Sequence, residues 1–423
     1  TPPASGKPRL MLVHGTGDGG QFGLGVDVSN IQRPRLHVAV KELVNSGKMG
    51  PVGVERVVAA GMHSLVLDSN GQVWSCGVND SMALGRKTQG IKDVDNTELE
   101  SSLDLVQGLE DFRATFIAAS DSCSIAVSER GELRAWGSFS SDGILGFDGV
   151  RDHGMKVVAP TALPAFAKNP VCQVACGEDH VLALTTSGTI YTWGNGVNFQ
   201  LGRKIMERRK TNGLRPEPLH LRDIVLVSAG NHHSFAVDKP GVVYAWGLNQ
   251  MRQTGVSDER GGEESHIKMP TVVDALHPDK HGGAKVVQIS GGEHHSIFLF
   301  DNGEVWGCGR SDVGRLGLAD DHPAILEIKK RYREELEEIM AQRSSKAHEA
   351  VSSTKIVGIS VGERYNFAYD ESGIAYSWGE GSVNQLGLGK VEEVKVPTRV
   401  HNTALKTYQV VGASAGGQHV LLM

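Results

Sequence analysis

The sequence predicts an all-β chain: a seven-bladed β-propeller of four-stranded blades with a split closing blade from the two termini and one inserted helix. Three observations predict it. A strand–turn–strand–glycine pattern recurs along the chain, its internal spacings stay fixed from copy to copy, and the two ends supply complementary halves of one further copy.

The pattern is clearest from Val174 to Gly202, VACGEDHVLALTTSGTIYTWGNGVNFQLG. Apolar runs at 181–184 and 189–193 flank the polar turn Thr186-Ser187-Gly188, which reads as two short strands joined in a hairpin. Aligned on His180, the copies fall at His63, Cys123, His180, His233, His295, Tyr365 and His419. Eight residues after each of the first six stands a turn glycine: Gly71, Gly131, Gly188, Gly241, Gly303 and Gly373. Six residues later comes the glycine of a Trp-Gly or Cys-Gly pair, at Gly77, Gly137, Gly194, Gly247, Gly309 and Gly379. Eight further on, nine in the second copy, stand Gly85, Gly146, Gly202, Gly255, Gly317 and Gly387. Connectors of variable length set a period of 53 to 70 residues.

The ends complete the count. The chain stops at Ala415-Gly-Gly-Gln-His-Val-Leu-Leu-Met423, a first half without a second, and opens with Arg9-Leu-Met-Leu-Val-His-Gly15 and Gly23, a second half without a first. Pairing them closes a seventh blade and leaves no open sheet edge, whereas an open solenoid would need caps. The expected organisation is one propeller over 1–423 with a helical insertion at 325–350.

Composition fits. Glycine, 53 of 423 residues, serves turns and close backbone approach. No run of about 18 apolar residues exists, so no membrane-spanning helix is expected. The opening Thr-Pro-Pro-Ala-Ser-Gly-Lys carries no signal-peptide pattern and no initiator Met, so an upstream segment is expected. Five scattered cysteines suggest reduced thiols and an intracellular setting. A net charge of −6 argues against nucleic-acid binding over the whole surface while allowing a local basic patch.

In chain order, residues 24–56 form a long connector in which LHVAVKELV is an outer strand or short helix, and 57–85 is the first full hairpin unit. The connector 86–116 is polar and acidic until Phe112. The second copy, 117–146, departs from its siblings: Cys123 replaces His, and Ser-Phe-Ser-Ser-Asp-Gly-Ile-Leu-Gly146 is one residue longer. That extra residue marks either an interaction element or a neutral indel. In the connector 202–215, Arg203, Lys204, Arg208, Arg209, Lys210 and Arg215 stand against one Glu, which is either a solvated loop or a docking point for phosphates or an acidic protein surface. In ILEIKKRYREELEEIMAQR, Ile325, Ile328, Tyr332, Leu336 and Ile339 recur at helical spacing, predicting an amphipathic helix between the fifth and sixth blades with a flexible SSKAHEAVSS return.

Several apparent catalytic motifs fail on spacing. Gly15-Thr-Gly-Asp-Gly-Gly20 satisfies G-x-G-x-x-G, but the repeat pattern continues where a nucleotide-binding helix is required. Cys172 and Cys176 lie about 13 Å apart along one strand, too far to share an ion, so no metal or cofactor site is expected. In His232-His233 and His294-His295 the second His holds the repeat position and reads as a structural tie between blades. All six tryptophans sit just before the Trp-Gly-type glycine and read as blade packing. The loops before the repeat residue open on one face near the axis, where Asp121, Glu178, Asp179, Glu293 and Glu363 would form an acidic ring suited to a basic protein partner.

The G-x-x-H-S, G-x-V-x-x-W-G and Q-L-G signatures, the count of seven and the split last blade resemble the regulator of chromosome condensation family, in a fungal-type version, over essentially the whole chain. The resemblance implies a nuclear, chromatin-bound, monomeric guanine nucleotide exchange factor for the small GTPase Ran, which breaks no covalent bond. It implies that Asp18, Asp121, Asp179, His294 and His419 match the exchange face, and Glu178 and Glu293 of the acidic ring are also expected to bind the GTPase. It further implies a wedge at Phe139, Ser140, Ser141, Asp142, Gly143, Ile144 and Leu145, and a nucleosome-binding loop anchored by Arg208, Arg209, Lys210 and Arg215, with DNA a possible further partner. The same repeat occurs in non-catalytic interaction scaffolds, and fold alone does not separate the two.

Overall fold

The computed structural model describes residues 7–139, 147, 156–326, 348–351 and 355–423. Seven four-stranded antiparallel sheets are present. The first six blades begin with the strands Val54–Ala59, Ala114–Ala119, Val171–Cys176, Ile224–Ala229, Val286–Gly291 and Ile356–Val361. The seventh blade pairs Asn30–Leu36 and Leu12–Thr16 with His419–Leu422 and Ala413–Ala415, so the split closure expected from the two half-repeats is present. Each first strand contacts the first strands of both neighbouring blades, including Ala413–Ala415 against Val54–Ala59, and the seven close into a ring around the axis.

The second strands, such as His180–Thr185, are buried along their whole length in every blade but the sixth, where Tyr369 is partly exposed, because they lie mid-sheet with a blade on either side. The Trp-Gly-type glycine that follows cannot be another residue. At Gly247 φ is +103°, and a Cβ would stand 2.6 Å from the carbonyl oxygen of His232. The same close approach lets Leu248 N–H bond that carbonyl at 2.9 Å, which fixes the residue before the repeat His on the open face. Gly292, three residues before His295, is required for a different reason: its Cβ would enter the imidazole ring.

The repeat histidines tie blade to blade. His63 meets Ser124 at 2.8 Å, His180 meets Ser234 at 2.8 Å, His233 meets Ser296 at 2.7 Å, His295 meets Asn366 at 2.9 Å and His419 meets Ser64 at 2.8 Å. Each serine hydroxyl donates onward to a backbone carbonyl, as Ser234 does to Gln200 at 2.8 Å. The imidazole must therefore donate through Nε2, which leaves Nδ1 without a partner in His180, His233, His295 and His419. Tyr365 serves the same purpose by donating to the carbonyls of Gly416 and His419. Burial drives the imidazoles down to about 4 in His63 and about 3 in His180, His295 and His419, so these ties are neutral.

Two connectors differ from the sequence expectation. LHVAVKELV resolves into the end of the outer strand Asn30–Leu36 and the helix Val38–Asn45, which is capped by His37. The insertion expected over 325–350 ends earlier and lies inside the fifth blade: His348–Val351 is that blade's outer strand, paired with Val305–Gly309, so the return is not flexible throughout. Ile325 is buried with Ala324, Leu316 and Leu318, while residues 327–347 lie outside the described residues.

Candidate functional site at the acidic mouth of the axial channel

The loops before the repeat residues surround one mouth of the axis, a hollow of about 110 Å³ lined by Asp121, Glu178, Glu363 and small residues of the innermost strands. The small residues follow from the geometry, since seven strands converge there and leave no room for larger side chains. Asp121 is exposed, yet its carboxyl sits among protein and like charges. Burial, then Glu178, Glu363 and Asp179, push its carboxyl up to about 7, against a bond from the Gly61 N–H. Burial and Glu293 likewise push Glu363 upward.

The expected ring of five carboxylates is not uniform. Glu293 is drawn into an ion-pair network with His294 at 3.3 Å, Arg364 at 3.2 Å and Arg315 at 3.8 Å. His294, with help from Arg364 and Arg315, holds its carboxyl down to about 2. Glu178 lies 3.3 Å from His232. Asp179 is 8 % exposed, and its carbonyl is pinned by Asn195 N–H at 2.8 Å. Asp18 is exposed on the rim. The face thus carries a carboxylate sector around Asp121, Glu178 and Glu363, and a second sector with the guanidinium groups of Arg310 and Arg364 and the imidazole of His294. The arginines and His232 were absent from the sequence expectation. Arg364 and His232 stand in the same pre-repeat loops as the acidic residues, whereas Arg310 directly follows the Trp-Gly-type glycine Gly309.

Two expected site residues lie elsewhere. His419 is fully buried against Ser64, which makes it a blade tie rather than a contact on the open face. Phe139 is 1 % exposed, stacked on Phe147 at 5.3 Å and edge-on to Trp193 at 6.0 Å. It is therefore the buried root of the expected wedge and not its contact surface. Ser140, Ser141, Asp142, Gly143, Ile144 and Leu145 lie outside the described residues. The basic connector forms the 3-10 helix Glu207–Leu214, with Arg215 exposed after it. Arg203 is occupied structurally, bonding Glu217 and three backbone carbonyls, and so is not available for docking.

Residues 10–422 match the RCC1-like domain. The chain is 38 % identical to protein pim1 of Schizosaccharomyces pombe, covering 97 % of this chain and 74 % of that protein. It is 33 % identical to guanine nucleotide exchange factor SRM1 of Saccharomyces cerevisiae, covering 97 % of this chain and 86 % of that protein. Among solved structures, Prp20p of Saccharomyces cerevisiae, reported with its binding properties to Gsp1p and histones, superposes with a TM-score of 0.84 at 32 % identity. That match covers 98 % of this chain and 91 % of Prp20p.

Proposed function

The chain belongs to the RCC1-like domain family, and on that premise we propose that it is a guanine nucleotide exchange factor for the small GTPase Ran, held on chromatin in the nucleus. The supporting observation is the convergence of Asp121, Glu178 and Glu363 on one mouth of a rigid disc, in a chain similar to a named exchange factor over 97 % of its length.

Such a protein makes and breaks no covalent bond. It binds the nucleotide-free GTPase more tightly than the loaded one, and by linkage it weakens nucleotide binding by the same factor. The carboxylate sector holds a basic surface of the GTPase, with Asp179 and Asp18 extending it towards the rim. His294 is kept in place by Glu293 and faces the same partner. The wedge that follows Phe139 displaces the phosphate-binding elements. Arg208, Arg209, Lys210 and Arg215 dock on the acidic patch of the nucleosome.

The test is complex formation. Ran stripped of nucleotide should co-elute with this protein in gel filtration and separate when excess GTP is added. Co-elution that persists in GTP, or none at all, would identify a non-catalytic scaffold instead.

A further inference from the structure

The axial channel has a second mouth, and it holds a guanidinium. Ala59, Ala119, Cys176 and Ala229, the last residues of their innermost strands, line the acidic hollow, so the first residues of those strands stand at the far mouth. The third residue of each strand lies about 10 Å from the acidic end. At this level Gln173 accepts from Val227 N–H at 3.2 Å and donates to its carbonyl at 3.1 Å. Gln288 does the same with Ile359, at 3.0 and 2.6 Å. Arg56 holds the equivalent position in the first blade. Its guanidinium carbon lies 4.0 Å over the ring of Phe116 in the second, and among the described residues no hydrogen bond or ion pair reaches its nitrogens. Glu55, next in sequence and exposed, makes no ion pair with it. Arg56 is exposed, while the protein around its head group pushes the guanidinium below its ordinary value, opposed by Tyr369. It is not among the groups that act most on Asp121 or Glu363, so neutralising the acidic mouth does not account for it.

Tyr369 of the sixth blade belongs to the same cradle. Gly358 holds the third position there, and a Cβ on it would stand 2.2 Å from Tyr369 Cζ, so the phenol covers the glycine and replaces a channel side chain. Arg56 draws the Tyr369 hydroxyl down against the burial that raises it. Tyr369 also lines a hollow of about 250 Å³ between the sixth and seventh blades, walled by Val357, Val410 and Val411. Asp370 in its lining is occupied by the N–H groups of Ser372 and Ile374, each at 2.9 Å, and Glu371 completes the edge. Around this mouth the second residue of each innermost strand is turned outward in the first six blades, because a bulge drops it from the pairing. The fold accepts polar residues there, as Glu55 and Thr115 show. The next four blades nevertheless place Cys172, Val225, Val287 and Val357 at this position, all exposed, and Val411 stands exposed in the seventh. Val225 is 56 % open to solvent and Val411 51 %, so neither is held by the core, and such apolar surface in consecutive blades marks a contact site.

We propose that the far mouth docks a peptide segment of a partner protein, in which an acidic side chain flanked by apolar ones enters the channel and pairs with Arg56. One face of the guanidinium rests on Phe116, which leaves its fork edge for a carboxylate taken through two parallel N–H bonds. The Tyr369 hydroxyl is a further donor to the same group. The apolar flanks cover Val225, Val287 and Val357, and one of them fills the hollow at Val357 and Val411. The valines decide for an acidic peptide over a free phosphate, which would gain nothing from an apolar surround. The site lies at the other end of the channel from Asp121, Glu178 and Glu363, and it does not rest on the exchange function.

Fluorescence anisotropy with the intact chain and a pair of rhodamine-labelled peptide mixtures tests this. One mixture carries a central Glu and the other a central Gln, both with Val, Leu, Ile and Phe in equal parts at the flanking positions. The peptides are amidated, so the central side chain is the one carboxylate. The Glu mixture should bind with a Kd below about 1 mM, at least about tenfold tighter than the Gln mixture. Arg56→Gln should erase that difference, and Arg56→Lys should keep part of it, since an ammonium supplies the charge without the fork. Val357→Asp sets a like charge at an exposed position beside the docked carboxylate. It should weaken the Glu mixture more than the Gln mixture with the thermal melt unchanged, and it decides the matter if Arg56→Gln unfolds. Equal binding of the mixtures, binding of neither, or a preference for Glu that survives Arg56→Gln would overturn the proposal. Displacement of the Glu mixture by millimolar inorganic phosphate, but not by chloride at the same ionic strength, would overturn it in favour of a phosphate site.

Discussion

His419 Nε2 lies 2.8 Å from Ser64 Oγ, and this contact joins residues 355 apart in the chain, closing the ring between the seventh blade and the first. Ser64 donates in turn to the Gln21 carbonyl at 2.7 Å, so its hydroxyl satisfies one buried acceptor and one buried donor. Ser64→Ala should therefore lower unfolding free energy by about 1–3 kcal/mol, read from urea denaturation. A surface serine such as Ser187 should lose far less when replaced by Ala.

The buried imidazoles make the fold acid-labile. His14, His180, His295 and His419 sit near 3, and His37 and His63 near 4, against 6.5 when exposed. Folded values below the unfolded value mean that unfolding takes up protons. Stability is then full above about 6.5 and falls as pH drops towards 3–4. Thermal melts from pH 7.5 to 4.5 should show a melting temperature level above pH 6.5 and falling steadily below it.

Asp121 carries the opposite sign. Its carboxyl sits at about 7 instead of 3.8, so ionisation is disfavoured in the folded state, and a penalty grows as pH rises from about 4 to about 7. Asp121→Asn should match wild type near pH 4 and gain melting temperature progressively up to neutrality. At the same time it should weaken GTPase binding, so stability and function move in opposite directions at this position.

Gly247→Ala should destabilise by roughly 2 kcal/mol or more, because φ is +103° and the methyl group would meet the His232 carbonyl. Gly283, also at positive φ but with open space around it, is the control and should cost about 1 kcal/mol when changed to Ala. Chemical denaturation of the two variants gives the comparison.

The propeller was legible because blades repeat: fixed spacings around His180 and two half-repeats at the termini specify count and closure without any tertiary knowledge. The face was legible in part. The loop before each repeat residue necessarily opens at the axis, so Asp121, Glu178 and Glu363 could be placed there from position alone. Glu293 could not be ranked below them, because its partners Arg315 and Arg364 come from the next glycine loop and the next blade. Phe139 read as surface because its loop is polar, whereas the apolar gap left by Cys123 and Val181 draws the ring inward. The strand His348–Val351 was hidden by the charged stretch before it, and Asp104–Leu105 and Glu217–Pro218 are too short to show a period.

The most direct measurement is stopped-flow release of fluorescent GDP from Ran, with this protein and with its Asp179→Ala variant. Acceleration of several orders of magnitude, reduced at least about tenfold in the variant, is the expected result. Release no faster than the intrinsic rate with the intact protein would contradict the exchange function, and full activity in the variant would move the active surface away from the acidic mouth.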